Sequence, residues 1–126
     1  MSMKNLMLLS ISFLLAFACA AQNSKRDLLV KSKWEIQSDE MSGLGVHTSL
    51  SKDTELQFFA DGTWKSSKPI KEVSSGKWKL ENNDRNLVMI TGNEETSYLI
   101  LQLTEKEMHY RVKKNAATYT CKWLSK

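Results

Sequence analysis

Cysteine and histidine are the side chains best suited to covalent and acid–base chemistry, and the 126-residue chain has two of each. Cys19 ends an apolar run, in Ala16-Phe17-Ala18-Cys19-Ala20-Ala21, whereas Cys121 lies in the alternating stretch Tyr119-Thr120-Cys121-Lys122-Trp123. His47 falls in a connection punctuated by Gly43 and Gly45. His109 sits in Met108-His109-Tyr110-Arg111, where alternation turns it outward with Arg111. Nucleophilic catalysis requires a base within hydrogen-bond reach of the nucleophile, and neither histidine has such a neighbour in the sequence. A metal site needs three or four converging ligands, and no His, Cys or carboxylate group has that spacing. Glu94-Glu95 and Glu105 with Glu107 belong to turns, where acidic residues are ordinary. With no glycine-rich phosphate loop and no Gly-x-Ser-x-Gly, the expectation is a protein that is not an enzyme and uses no cofactor or metal.

The chemistry left to Cys19 is attachment. Lys4 precedes the apolar run Leu6–Phe17, and small residues follow it, which is the pattern of a secretory leader over residues 1–21. The run falls short of the roughly 20 residues that span a bilayer. Two kinds of processing fit. Signal peptidase I can cut after Ala20 or Ala21, with small residues at −3 and −1. A lipoprotein peptidase can cut before Cys19, which then carries acyl chains; Ala18 suits that motif, while Ala16 replaces the preferred Leu and Phe17 is bulky. Cys19 is read as the lipid-attachment site, which predicts an exported protein of the cell envelope, anchored or periplasmic. Once Cys19 is cleaved off or acylated no disulfide can form in the domain, and Cys121 becomes a small buried hydrophobe. A bridge between the two would need Cys19 retained unmodified.

The formal charge is +4 and the pI near 9.1. Lysines and arginines are nonetheless scattered, with Arg111, Lys113 and Lys114 the tightest group. A nucleic-acid footprint requires a contiguous basic face, so no nucleic-acid partner is expected.

Behind the leader, residues 22–33 read as a tether ending in a short helical turn, with Leu28 and Leu29 plugging one end of the domain at 34–126. That domain reads as strands. Trp34 and Ile36 share a face of the first. Leu56 and Phe58 alternate up to Asp61-Gly62, a turn pair that tolerates positive φ, and Thr63 to Ser67 returns. Trp78 with Leu80, Leu87 to Ile90, Tyr98 to Leu103, then Met108, Tyr110 and Val112, and finally Tyr119, Cys121 and Trp123 complete eight short strands. Mostly tight turns join them, which predicts an all-β, small antiparallel up-and-down barrel. Two longer connections are expected. Ser38 to Asp53 carries Met41 and Leu44 as a seal or lid, with a further strand conceivable within Val46 to Leu50. Ser66 to Ser75 carries Pro69, Ile70 and Val73.

The Cys near the end of a leader, Leu28-Leu29 before Trp34-x-Ile36, Leu56-x-Phe58-x-Ala60-Asp61-Gly62-Thr63-Trp64, Ser75-Gly76-Lys77-Trp78-Lys79-Leu80 and the closing Tyr119-Thr120-Cys121-Lys122-Trp123 together resemble the small lipocalin-like domain proteins of bacterial envelopes. The likeness runs from Leu28 to Leu124. Ser32-Lys33-Trp34 stands where lipocalins have Gly-x-Trp, and the usual disulfide and C-terminal helix are missing. The resemblance offers Arg111 for the late basic residue that covers the first-strand Trp in lipocalins. The resemblance implies a barrel that binds a small hydrophobic molecule. Aromatic alternation places Trp64, Trp78, Met89, Tyr98, Met108 and Tyr110 as its lining, under Met41 and Leu44. The same aromatics could fill the barrel solidly. The alternative is therefore a protein-interaction or inhibitor module that meets an envelope protein through Leu44, Ile70 and Val73.

Overall fold

The computed structural model describes residues 24–43, 50–70 and 72–126. Ser24 starts the only helix among them, α1 (Lys25–Lys31), its hydroxyl oxygen accepting the Asp27 N–H at 3.1 Å. Asp27 in the first turn and Lys31 in the last both suit the helix dipole. The chain then passes straight into eight strands: β1 (Lys33–Gly43), β2 (Glu55–Phe58), β3 (Thr63–Ile70), β4 (Val73–Glu81), β5 (Asn86–Thr91), β6 (Glu94–Leu103), β7 (Glu107–Lys114) and β8 (Ala117–Ser125). Each pairs antiparallel with the next, and β1 pairs with β8, so the sheet closes in sequence order. The protein is an all-β, eight-stranded antiparallel barrel. Closure removes the free sheet edges that would otherwise template aggregation.

The predicted faces hold. Trp34, Leu56, Phe58, Trp64, Leu87, Met108 and Trp123 are essentially inaccessible to solvent, and Phe58 meets Trp78 edge-on at 5.5 Å between ring centroids. Helix α1 lies across the end formed by the β2–β3, β4–β5 and β6–β7 turns. Arg26 donates to the Ala60 carbonyl, Lys25 Nζ to the Asp84 carbonyl at 2.9 Å, and Lys31 pairs with Glu105 at 2.8 Å. Leu29 drops from the helix into the core, and its carbonyl accepts the Trp34 indole N–H at 3.1 Å. Leu28 is only half-buried.

Two expected connections are strands instead. β1 continues through Ser38 to Gly43 because β8 extends alongside it, up to Gly43 opposite Ala117. A register shift between Ile36 and Ser38 inserts one residue, and a β-bulge of this kind reverses which residues face inward. Asp39 and Met41 consequently stand opposite Cys121 and Tyr119. Likewise Ser66 to Ser75 is a hairpin, with Ile70 opposite Val73. Pro69 therefore lies in β3 and not in a loop. It is tolerated there because β2 pairs with β3 only as far as Leu56 opposite Ser66, and the β3–β4 register shifts between Lys65 and Ile70. No ladder bond depends on its missing N–H. Ile70 packs partly buried against the core, so it is not an exposed loop residue. Leu44, His47 and most of the Val46 to Leu50 stretch lie outside the described residues.

The β2–β3 turn uses its Asp-Gly pair as expected. The Thr63 N–H and hydroxyl both donate to Asp61 Oδ1, at 3.0 and 2.6 Å, and Gly62 has φ +89°. These bonds, the Thr63 hydroxyl's first, hold the Asp61 carboxyl below its ordinary pKa. A Cβ on Gly62 would meet only the Trp78 carbonyl oxygen at 3.7 Å, so Gly62→Ala is strained by its backbone alone. Urea denaturation of this variant is expected to show a loss of about 1 kcal/mol; an unchanged midpoint would mean the turn relaxes to negative φ.

Candidate functional site in the barrel interior

The bulge in β1 brings a carboxylate into the barrel. From Asp39 the ladder runs to Cys121 on β8, Tyr110 on β7 and Ile100 on β6. Tyr98, two residues from Ile100 on the same face, places its ring 4.4 Å from that of Tyr110. The Cys121 thiol donates to Asp39 Oδ1 at 3.5 Å, and the Leu50 N–H donates to Oδ2 at 3.0 Å. Four consecutive strands thus converge on one polar cluster in an interior built mainly of apolar side chains.

Burial controls its ionisation. It raises the pKa of Tyr98, with further pushes from Cys121, Glu94 and Asp39 against a lowering bond from Thr96. Tyr110 is pushed up chiefly by burial, then by Cys121 and Tyr98 and last by Asp39, while a side-chain hydrogen bond with Trp123 acts in the opposite direction. The free thiol of Cys121 is raised by burial and then by Asp39. All three keep their protons at neutral pH, so the cluster presents hydroxyl and thiol donors around a carboxylate.

The four indoles divide into two pairs. Trp34 and Trp78 donate to main-chain carbonyls, of Leu29 at 3.1 Å and Phe59 at 3.0 Å. Trp64 and Trp123 are equally buried, but neither indole N–H reaches a main-chain carbonyl, and the Trp123 side chain instead bears on the Tyr110 hydroxyl. Trp64 overhangs Gly76, where a Cβ would lie 2.7 Å from the indole nitrogen and 2.1 Å from the Ile90 carbonyl oxygen.

Of the lining residues expected from sequence, Trp64, Trp78, Met89, Tyr98, Met108 and Tyr110 are all buried. They are not one wall. Trp78 lies at the helix-capped end, under the Arg26 guanidinium 4.8 Å from its ring centroid. Met108, near the β6–β7 turn, stands opposite Trp123. Met89 stands between Trp78 and Thr96, whereas Tyr98 and Tyr110 join the polar cluster. Met41 is a half-buried strand residue opposite Tyr119 and no part of a lid, because β1 reaches past it. Arg111 points outward between Leu99 and Thr120, away from Trp34; the cation that covers an indole is Arg26 on Trp78. Cys19 lies outside the described residues.

Asp39 escaped the sequence reading because it sits between Ser38 and Glu40, in a stretch with no apolar alternation. Among the described residues no group of three or more His, Cys, Asp or Glu could hold a metal ion, and no helix is long and apolar enough to cross a membrane. His109 lies beside Glu107, Nε2 to Oε2 3.7 Å.

Fold and interior together define a class: a small closed β-barrel capped by a helix at one end, with an aromatic interior and a buried polar cluster. No family model and no curated protein matches the chain.

Proposed function

We propose that this is a non-catalytic envelope protein, exported and held at the membrane by lipid on Cys19, that takes a small apolar or amphipathic molecule into a lipocalin-like barrel. The observation that carries this reading is the interior itself. Closed eight-stranded barrels are the size that holds either packed side chains or a single small ligand. This one sets Tyr98, Tyr110, Cys121 and Asp39 together inside an apolar wall. Apolar walls with a few convergent polar groups are the usual makeup of small-molecule sites. The leader and Cys19 supply compartment and anchor.

The full chain, purified from the envelope of an expressing bacterium in mild detergent, tests both parts. Native mass spectrometry is expected to show a co-purifying small molecule that organic extraction releases. In the same cells Cys19→Ala should move the protein from the membrane fraction to the soluble one. A Cys19→Ala protein still in the membrane would remove the anchor from the proposal. A clean apo mass would select the second reading, an interaction module with a solid core. That reading draws on the close packing beneath α1 and on the exposed Phe59, Leu99 and Leu101.

A further inference from the structure

We propose that the helix-capped end of the barrel docks on a phospholipid bilayer surface, with the rim at Gly43 and Ala117 turned away from it. The exposed large apolar side chains among the described residues are Phe59, Leu99 and Leu101, and all three lie at the capped end. Phe59 follows β2, in the turn whose Ala60 carbonyl takes Arg26 from α1. Leu99 stands opposite Asn86, the first residue of β5, just past the turn that receives Lys25. The Ile100 N–H, between the two leucines, donates to the Arg85 carbonyl of that same turn at 2.9 Å. Leu101 comes two residues before the end of β6, and the turn that follows is tied to Lys31 of α1 through Glu105. Apolar side chains exposed singly over a surface are ordinary. Their collection at one end of a closed ring is not.

A bilayer fits this arrangement better than a protein does. Phe59 joins β2 to β3, while the leucines lie three strands further round the ring on β6, so the three form a broken rim and not one patch. A protein interface is built around a buried, contiguous core. A bilayer meets a rim at every point and takes each side chain separately. Arg85 and Lys106 stand exposed in the same turns, and long basic side chains there reach headgroup phosphates. Two carboxylates beside them are engaged, Asp61 by Thr63 and Glu105 by Lys31. The sequence sets the distance. Four residues, Ala20 to Asn23, separate Cys19 from Ser24, the N-cap of α1. Fully extended, they hold that end of the barrel within about 18 Å of an acylated Cys19. The tether argument rests on the proposed lipid at Cys19; the apolar rim does not.

Two forms of the protein separate docking from anchoring. The Cys19→Ala protein, recovered from the soluble fraction with a mass that shows cleavage after Ala20 or Ala21, has only the rim to bind with. Three side chains bind weakly alone, so this form leaves the membrane on fractionation and needs excess lipid to bind. With excess vesicles of phosphatidylethanolamine and phosphatidylglycerol it is expected to float. Adding Phe59→Ser and Leu101→Ser should weaken that binding at least about tenfold while leaving the far-ultraviolet spectrum unchanged. The wild-type protein in the same vesicles then reports orientation. Acetylation of Lys106, in the β6–β7 turn, should fall severalfold relative to the Cys19→Ala protein in solution. That of Lys113, beside the far rim, should not. Failure of the Cys19→Ala protein to float, flotation indifferent to the two serines, or equal protection at both ends overturns the docking surface. Lipid on Cys19 stands or falls separately, on the mass of the wild-type protein. A Cys19→Ala protein that dimerises, and becomes monomeric with the two serines, overturns lipid docking in favour of a second copy of the chain.

Discussion

Raising the pH above about 10 is expected to unfold this barrel cooperatively, with Tyr98, Tyr110 and Cys121 losing their protons in the same step. Each group is held protonated in the folded state, mainly by burial. In the unfolded chain the thiol ionises near about 8.5 and the phenols near about 10. Above those values the unfolded state binds fewer protons than the folded one, so stability falls as pH rises. Below them the three groups are protonated in both states and contribute no slope. Each adds about 1.4 kcal/mol per pH unit once its unfolded value is passed. By pH 11 the sum is about 6 kcal/mol, comparable to the whole stability of a small domain. Urea midpoints followed from neutral to alkaline pH check this, with tyrosinate absorbance recorded alongside. Tyr110→Phe should raise the alkaline midpoint, because it removes one titrating group and keeps the ring. Tyrosinate appearing well before the far-ultraviolet signal is lost would show that the cluster is open to solvent, which would overturn the account.

Trp34→Ala is the substitution expected to destabilise most. Its side chain is wholly buried beneath α1, and its residue joins β1 to both neighbours, opposite Leu56 on β2 and Ser125 on β8. Truncation empties the volume under Leu29 and strands the Leu29 carbonyl, which now accepts the indole N–H. A loss of about 3–5 kcal/mol is expected from the cavity and the lost contacts. Trp34→Phe separates the two effects. It keeps most of the packing and loses the hydrogen bond, so about 1–2 kcal/mol should go. Hydrogen exchange at Leu28 and Leu29, measured on both variants, reports whether the helix still sits on the barrel. A Trp34→Ala protein within about 1 kcal/mol of the parent would mean that the helix and first strand contribute little to the fold.

The architecture was legible because its signals are local. A strand that is half inside a barrel must alternate, so Trp34 with Ile36, Leu56 with Phe58, and Met108 with Tyr110 declared both the strands and their inner faces. Asp61-Gly62 declared the sharpest turn, since the turn needs a residue tolerant of positive φ. Antiparallel neighbours joined by tight turns left an up-and-down order as the natural one, and eight such strands are enough to close. The burial of Leu29 was also readable, as one apolar pair in a polar tether.

Non-local pairing decided the rest. Ser38 to Gly43 has little strand propensity of its own; β8 makes it a strand by pairing with it. The register shift after Ile36 then turns Asp39 inward, which no alternation count along one strand reveals, because a bulge is defined only against its partner. Asp39 and Cys121 are 82 positions apart and meet only because the first and last strands close the barrel. Arg26 reaches the Trp78 ring through the same closure, which sets α1 over the turns of three hairpins. Residue types alone therefore determined a barrel with an aromatic interior. The pairing of its two ends determined which polar groups stand inside it, because only tertiary contact can rotate a strand's faces and bring distant residues together.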